Sequence, residues 1–122
     1  MQWDISSQVG KTILIRKRRE VLSFQLERIR YIICDGHYCF IFMADGTDAR
    51  VKRSLRYFRE TEKLDETCGF LHINRNTLVN TRYFSNVHLS RNKRTFYLKN
   101  EKKGKDETHI VSKRKVELFK NV

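Results

Sequence analysis

The chain has 122 residues, a length typical of one domain, and 26 Lys and Arg against 14 Asp and Glu give it a net charge of +12 at pH 7. A hydrophobic content of 39% with 11% aromatics is sufficient for a core, which excludes a wholly disordered basic tail. The longest apolar stretch, residues 39–44, is far shorter than the roughly 20 residues of a membrane-spanning helix, and no signal segment follows Met1. We therefore expect a cytoplasmic protein with an anionic partner and no membrane.

Three cysteines, Cys34, Cys39 and Cys68, cannot all pair within one chain, and the expected reducing compartment favours free thiols. Together with His37 and His72 they could form a zinc site, because thiolate and imidazole groups suit a tetrahedral zinc ion. No Cys-x-x-Cys pair is present, so we prefer half-buried free thiols to this alternative. Neither a metal nor a cofactor is expected.

The first ten residues show no periodicity and end in Gly10. We interpret residues 1–10 as a leader or linker remnant and residues 11–122 as the domain. Residues 12–16 and 21–24 then predict two short strands around an exposed basic cluster at residues 16–19.

Three further strands are predicted at residues 28–34, 38–43 and 49–52, which are rich in β-branched and aromatic side chains. The pairs Asp35-Gly36 and Asp45-Gly46 separate them. Asp-Gly favours tight hairpin turns in which both central positions have positive φ. The sequence therefore predicts a three-stranded meander.

One clear helix is predicted at residues 54–64, with Ser54 as N-cap and Leu55, Phe58 and Leu64 near one face. Short strand candidates follow at residues 69–73, 77–79, 85–89, 95–98 and 109–112. Residues 100–107 are interpreted as a solvated loop and residues 113–122 as a closing helical turn. Many short strands and the absence of proline predict a mainly β domain.

The sequence lacks a Gly-rich phosphate loop, and its carboxylates lie in predicted turns or beside lysines, so we do not expect an enzyme. Basic side chains instead fall in predicted loops, at residues 16–19, 75, 82, 91–94 and 113–115. Loops on a rigid sheet can bring Arg and Asn to base edges while Lys neutralises phosphates. The pattern favours nucleic-acid binding. A non-specific RNA- or anion-binding module is the first alternative, and a domain for acidic protein partners is a further one.

Two segments carry a family resemblance. Residues 70–80 read Phe-Leu-His-Ile-Asn-Arg-Asn-Thr-Leu-Val-Asn and resemble the signature of the LytTR DNA-binding domain family, usually F-x-R-I-H-R-S-x-L-V-N. Residues 110–115, Ile-Val-Ser-Lys-Arg-Lys, resemble the family's closing V-S-R-R element. His72, Asn74 and Asn76 depart from the usual Arg, His and Ser, whereas Leu78, Val79 and Asn80 match and are expected to be structural. The resemblance covers about residues 11–120.

The resemblance implies an elongated, mainly β domain of about ten short antiparallel strands with one or two short helices. LytTR domains are the output domains of LytR/AgrA-type response regulators in two-component systems. By resemblance, the chain is a sequence-specific transcription regulator whose loops enter successive major grooves of double-stranded DNA. It would be a monomer in solution, with two copies pairing on direct repeats. The family's receiver domain is missing, so the chain is either a stand-alone regulator, with any receiver on another chain, or an excised output domain.

Candidate DNA-binding residues follow from position in the two motifs and in the first hairpin. Arg75 and Arg114 are the expected base contacts, with Asn76 assisting and His37 projecting from the hairpin tip. Lys113 and Lys115 are expected to contact phosphates. The complete set is His37, Arg75, Asn76, Lys113, Arg114 and Lys115.

Overall fold

The computed structural model describes residues 5–84, 88–92, 95–102 and 105–119. Within these ranges the chain forms ten strands: β1 (Thr12–Lys17), β2 (Glu20–Gln25), β3 (Ile29–Asp35), β4 (Tyr38–Met43), β5 (Asp48–Val51), β6 (Phe70–Asn74), β7 (Thr77–Asn80), β8 (His88–Asn92), β9 (Thr95–Lys102) and β10 (Lys105–Val111). Short 3₁₀ turns lie at Ser6–Gln8, Leu26–Arg28, Glu66–Cys68 and Thr81–Tyr83, a π-helix at Tyr57–Thr61 and a closing 3₁₀ helix at Lys113–Phe119. The mainly β prediction is confirmed. None of the described helices has the length and apolar character needed to cross a membrane.

The strands form three antiparallel sheets. The central sheet has five strands in the order β5-β4-β3-β7-β6, and it is accompanied by the β1-β2 hairpin and by a three-stranded sheet in the order β10-β9-β8. Strand β3 is the middle strand of the central sheet and pairs with β4 on one side and β7 on the other. The predicted meander is therefore β3, β4 and β5.

The central sheet is buried on both faces because successive side chains of its strands alternate between two cores. One core joins Leu78 to Ile13 of the β1-β2 hairpin and to Phe58 of the π-helix. The other core, on the opposite face, joins Val79 to side chains of the three-stranded sheet, among them Leu98. Adjacent residues of β7 thus belong to different cores, which fixes the register of this strand.

The turn between β3 and β4 is displaced by one residue from the prediction. Asp35 still pairs with Tyr38, so the two turn residues are Gly36 and His37 rather than Asp35 and Gly36. Gly36 has φ +61, and neither Asp35 nor His37 has positive φ. A glycine at the first central position is the requirement of a type II′ hairpin turn. The shift places His37 in the turn itself.

The prediction of free thiols is wrong for two of the three cysteines. Cys34 and Cys39 form a disulfide across β3 and β4, with Cα atoms 4.0 Å apart. The two-residue turn makes them direct cross-strand partners, and side chains directly opposite in an antiparallel pair lie on the same face. Cys68 is a buried free thiol, and burial raises its pKa. The alternative zinc set is not assembled, since among the described residues no three ligand-type side chains are grouped to hold a metal ion.

The predicted helix at residues 54–64 is shorter and of a different type. Helical geometry covers residues 55–61, of which Tyr57–Thr61 form a π-helix, and Lys63 with φ +57 leaves helical geometry. The Ser54 hydroxyl does accept a hydrogen bond from the Tyr57 backbone N–H at 3.2 Å, as a capping side chain would. Phe58 and Leu64 are fully buried, so the predicted apolar face is confirmed.

Residues 100–107 do not form the predicted loop. Strands β9 and β10 continue through most of this segment, with Lys102 opposite Lys105 and Glu101 opposite Asp106. Backbone pairing does not depend on side-chain polarity, and the apolar partners at the other end of the hairpin set its register. The charged residues therefore extend the same ladder. Of the strand candidate at 85–89, residues 85–87 lie outside the described ranges, and residues 88 and 89 belong to β8.

A buried amide pair links the signature segment to the start of the chain. Asn80 is fully buried, and its Oδ1 accepts a hydrogen bond from Gln8 Nε2 at 2.8 Å. Its Nδ2 donates to the backbone carbonyls of Ile29 at 2.8 Å and Leu26 at 3.3 Å. Gln8 Nε2 also donates to the carbonyl of Cys68 at 2.7 Å. The structural role expected for Asn80 is thereby seen directly, and the division at residue 10 into leader and domain stays a prediction.

We expect Asn80→Ala to lower the free energy of unfolding by at least about 2 kcal/mol, because it leaves buried carbonyls and the Gln8 amide without partners. Urea unfolding followed by circular dichroism measures the loss. Asn76→Ala is the matched control, since Asn76 is exposed in the neighbouring turn. Equal stability of the two variants would contradict this role.

The variant Gly36→Val tests whether the β3-β4 turn requires positive φ at residue 36. A Cβ at Gly36 would meet nothing within 4 Å, so the cost is conformational and amounts to about 1 to 2 kcal/mol for a side chain forced to positive φ. Gly36→Asn should cost less, because Asn tolerates positive φ better than a β-branched residue. The melting temperatures of the two variants measure the difference, and a Val variant as stable as the Asn variant would contradict the turn assignment.

Candidate nucleic-acid interface

Three segments that carry candidate residues meet at one end of the central sheet. The β3-β4 turn holds His37, the β6-β7 turn holds Arg75 and Asn76, and the closing helix begins with Lys113 directly after β10. Antiparallel pairing brings the end of β3, the starts of β4 and β7, and the end of β6 to the same end of the central sheet. Candidates that are distant in sequence therefore become neighbours through the topology.

Backbone hydrogen bonds join these segments. The N–H of Cys34, next to the first turn, donates to the carbonyl of Asn76 at 2.9 Å. The N–H of Ser112, which precedes the closing helix, donates to the carbonyl of Ile73 at 2.8 Å. The closing element is thus attached to the end of β6, and its position relative to the β6-β7 turn is defined.

Asn74 strengthens this attachment. Its Nδ2 donates to the carbonyl of Ile110 at 2.6 Å, and its Oδ1 accepts from the N–H of Asn76 at 2.8 Å. One side chain therefore orders the β6-β7 turn and ties it to β10. The signature position at which this sequence departs from the usual His has a structural role here.

Arg75, Arg114 and Lys115 line one open depression of about 430 Å³. Arg75 and Arg114 are exposed, and Lys115 is half-buried. The structure therefore brings together the two arginines that were predicted from separate motifs. Asn76 and Lys113 are exposed beside the depression, and His37 lies in the adjacent turn without lining it.

Among the residues of this depression that sequence reasoning missed are Arg59 from the π-helix and His72 from β6. His72 is half-buried, and its Nε2 has no hydrogen-bond partner within the described part of the chain. Burial, followed by the charges of Arg59 and Lys115, lowers the pKa of His72 below its ordinary value. The imidazole is therefore neutral at pH 7, and the guanidinium and ammonium groups carry the charge of the depression.

Two other predicted loop cations have internal partners. Arg82 donates from Nε to Gln8 Oε1 at 3.1 Å and from Nη2 to the carbonyl of Ile5 at 3.1 Å, so it holds the first described residues to the domain. The Arg91 guanidinium lies 5.5 Å from the centre of the Phe96 ring. Residues 93 and 94 of the same basic segment lie outside the described ranges.

A buried charged group holds β10 against the central sheet. Arg30 of β3 and Glu107 of β10 form a salt bridge, and His109 Nε2 lies 3.5 Å from Glu107 Oε1. Burial alone would raise the pKa of the Glu107 carboxyl, but the adjacent His109 and Arg30 outweigh burial and hold that pKa below its usual range. The carboxylate is ionised at neutral pH and keeps the strand that leads to Arg114 in place.

The sequence profile of the LytTr DNA-binding domain matches residues 19–122, most of the chain. The chain belongs to the LytTR family of DNA-binding domains. The match contains both motifs and every candidate DNA-binding residue, and it begins inside the basic cluster at residues 16–19. A comparison with curated proteins finds no match.

A search of solved structures supports the LytTR fold. The LytTr DNA-binding domain of a response regulator from Bacillus cereus superposes with a TM-score of 0.65. The two chains share 18% identity, and the superposition covers 92% of this chain and 96% of the other. The fold is therefore retained over nearly the whole length while most side chains differ.

The depressed pKa of His72 predicts how the stability of this LytTR domain depends on pH. Because the folded pKa lies below the unfolded value near 6.5, the contribution of the neutral ring is present above pH 6.5 and is lost as the pH falls through the folded pKa. The unfolding free energy of the parent relative to that of His72→Gln, measured by urea titration at pH 7.5 and at lower pH, should decrease as the pH falls below about 6.5, because only the parent loses this contribution.

Nuclear magnetic resonance titration of the His72 ring protons gives the pKa directly. We expect a midpoint below 6.5 that moves upward in Arg59→Gln, because this variant removes a cation that disfavours protonation. A midpoint at or above 6.5 in the parent protein would contradict the placement of His72.

Proposed function

We propose that this domain is a sequence-specific double-stranded DNA-binding transcription regulator that reads DNA through the turns at one end of its central sheet. The family assignment supports DNA as the ligand. The single observation that carries the residue assignment is the meeting of Arg75 and Arg114, from two separate motifs, in one exposed cationic depression. Loops on a buried sheet present side chains in fixed positions, which sequence readout requires.

In this proposal the arginine, asparagine and histidine side chains contact bases, and the lysine side chains contact phosphates. Arg75 and Arg114 donate bidentate hydrogen bonds to the O6 and N7 atoms of guanine in the major groove. Asn76 can donate to and accept from an adenine edge, and His37 reaches an adjacent part of the groove from its turn. Lys113 and Lys115 neutralise phosphates, which gives affinity without sequence preference.

We further propose that two monomers bind side by side on direct repeats. We call the β3-β4 and β6-β7 turns the reading turns. One copy presents its reading turns at a single end of the sheet, and such a compact surface contacts a short segment of duplex. Two copies on repeats a whole number of helical turns apart would lie on the same side of the DNA and double the contacted sequence. The length of the protected DNA and the stoichiometry of the complex test this arrangement.

Selection of bound duplexes from a random pool is the decisive experiment. A repeated motif in the selected duplexes would support both the specificity and the direct-repeat arrangement, and preference over random duplex should reach about 10³ or more at physiological salt. Equal affinity for random duplex and single-stranded RNA would instead support a non-specific RNA- or anion-binding module. An absence of any mobility shift would favour an acidic protein partner.

Arg75→Ala and Arg114→Ala should each weaken binding to the selected duplex by about 1 to 3 kcal/mol and relax the preference at one base position. Lys113→Ala should weaken binding to all duplexes alike and reduce the slope of log K against log salt by about 1. Fluorescence anisotropy over a salt series measures both effects.

Arg28→Ala is the control for these variants, because Arg28 is exposed at the opposite end of β3 from the reading turns. It should bind as the parent does. If both arginine variants also bound like the parent, the residue assignment would be incorrect even though the family assignment stands.

A further inference from the structure

A second cationic surface lies beside the reading turns, between the β1-β2 turn and the edge strand β5. It consists of two adjoining open depressions of about 730 and 330 Å³, which share Lys17, Arg18 and Arg50. The β1-β2 turn contributes residues 16–19, all basic, and β5 with the residues after it contributes Arg50, Lys52 and Arg53. We name this surface the β5 cleft.

The charge of the β5 cleft is not compensated within the domain. Its lining includes two carboxylates, Glu20 and Asp48, against seven basic side chains. Within the described ranges, none of these cations forms a salt bridge. Like charges held together in this way repel one another, so the cleft is best satisfied by an external anion.

Internal contacts hold part of the cleft in a defined shape. The Lys17 ammonium donates to the carbonyl of Arg50 at 3.1 Å and so connects the β1-β2 turn to β5. The Arg50 guanidinium lies 4.8 Å from the centre of the Tyr38 ring, which is a cation–π contact. These two contacts therefore fix the positions of Lys17 and Arg50 in the cleft.

The cleft is continuous with the proposed DNA interface. Tyr38 lines it and directly follows His37 of the first reading turn. Val51 pairs with Cys39, so the end of β5 lies at the same edge of the central sheet as that turn.

The two LytTR motifs do not include the residues of this surface. The family match begins at residue 19, so Arg16, Lys17 and Arg18 precede it. The cleft depends on β1, which lies before the matched region, and on its cross-strand partner β2. Arg19, Arg50, Lys52 and Arg53 lie inside the match, but none of the seven cations belongs to the two LytTR motifs at residues 70–80 and 110–115.

We propose that the β5 cleft binds the sugar–phosphate backbone of the same duplex, next to the segment that the reading turns contact. Arg16, Arg18, Arg19 and Arg50 neutralise flanking phosphates and add affinity that does not depend on base sequence. The choice of DNA as the anion rests on the proposed function. An open cleft lined by several separate cations fits a linear polyanion better than a single small anion.

The test compares two charge-matched double variants. Arg16→Gln with Arg19→Gln removes two cations of the cleft, whereas Lys11→Gln with Arg28→Gln removes two exposed cations from the opposite ends of β1 and β3. The probe is a random-sequence duplex of about 30 base pairs, titrated from about 50 to 200 mM salt. All substituted side chains are exposed, so we expect equal stability, and urea unfolding checks it.

We expect the cleft variant to lose affinity several-fold at low salt and to reduce the slope of log K against log salt by about 1 to 2, since each lost phosphate contact contributes about 0.9. The control variant should reproduce the parent slope. On a selected duplex, hydroxyl-radical protection of the flanking backbone should disappear in the cleft variant while protection of the central segment remains.

Equal slopes for the cleft and control variants would overturn the proposal, because the cleft would then act only through net charge. Loss of binding to a polyglutamate peptide without loss of duplex affinity would also overturn it, in favour of an acidic protein. A domain without sequence preference whose slope falls only in the cleft variant would refute the proposed specificity and retain the cleft. A domain with sequence preference whose salt slope is unchanged in the cleft variant would retain the proposed specificity and refute phosphate binding by the cleft.

Discussion

The backbone hydrogen bond from Cys34 to Asn76 shows the constraint on which the site depends, namely the central position of β3. This strand pairs with β4 and β7 at once, so the turns at its end cannot move independently. A slip of one residue would exchange the two buried faces of the sheet and place apolar side chains in the wrong core. The spacing of the reading turns is therefore fixed by burial, although the turn residues themselves are exposed.

The apolar cores set the register of the strands, and hydrogen bonds from buried or half-buried amide side chains fix the turns and chain segments next to them. Asn74 secures the β6-β7 turn to β10, and Asn80 closes the gap between β7 and the segment before β3. Each amide donates a hydrogen bond to a backbone carbonyl, which an apolar residue could not do. Within the described residues, none of Arg75, Arg114 and Lys115 forms a salt bridge with a carboxylate. Amide side chains therefore hold the turns and strands of the interface in place, and guanidinium and ammonium groups give the interface its charge.

Much of the fold could be predicted from the sequence because its signals are local. Alternation and turn residues identified β1 to β7 to within a few residues, and the two motifs identified the family. The disulfide was missed because it depends on the turn register, which moved by one residue to Gly36 and His37. The strands within residues 100–107 were missed because charged composition says nothing about backbone pairing. Arg59 and the β5 cleft were missed because tertiary packing, and no motif, brings Arg59 to β6 and the β1-β2 turn to β5.

The Gln8 and Asn80 pair also bears on the order in which the domain is formed. Its members are separated by 72 residues, whereas the β1-β2 and β3-β4 hairpins join neighbours in the chain. Hairpins close within microseconds, but contacts across such a separation require the loss of much more chain entropy. During synthesis, the early hairpins can form while the signature segment is still inside the ribosome. The reading turns acquire their final spacing only when the second half of the chain emerges, so folding of this domain is expected to be slow for its size and to end with the assembly of its functional edge.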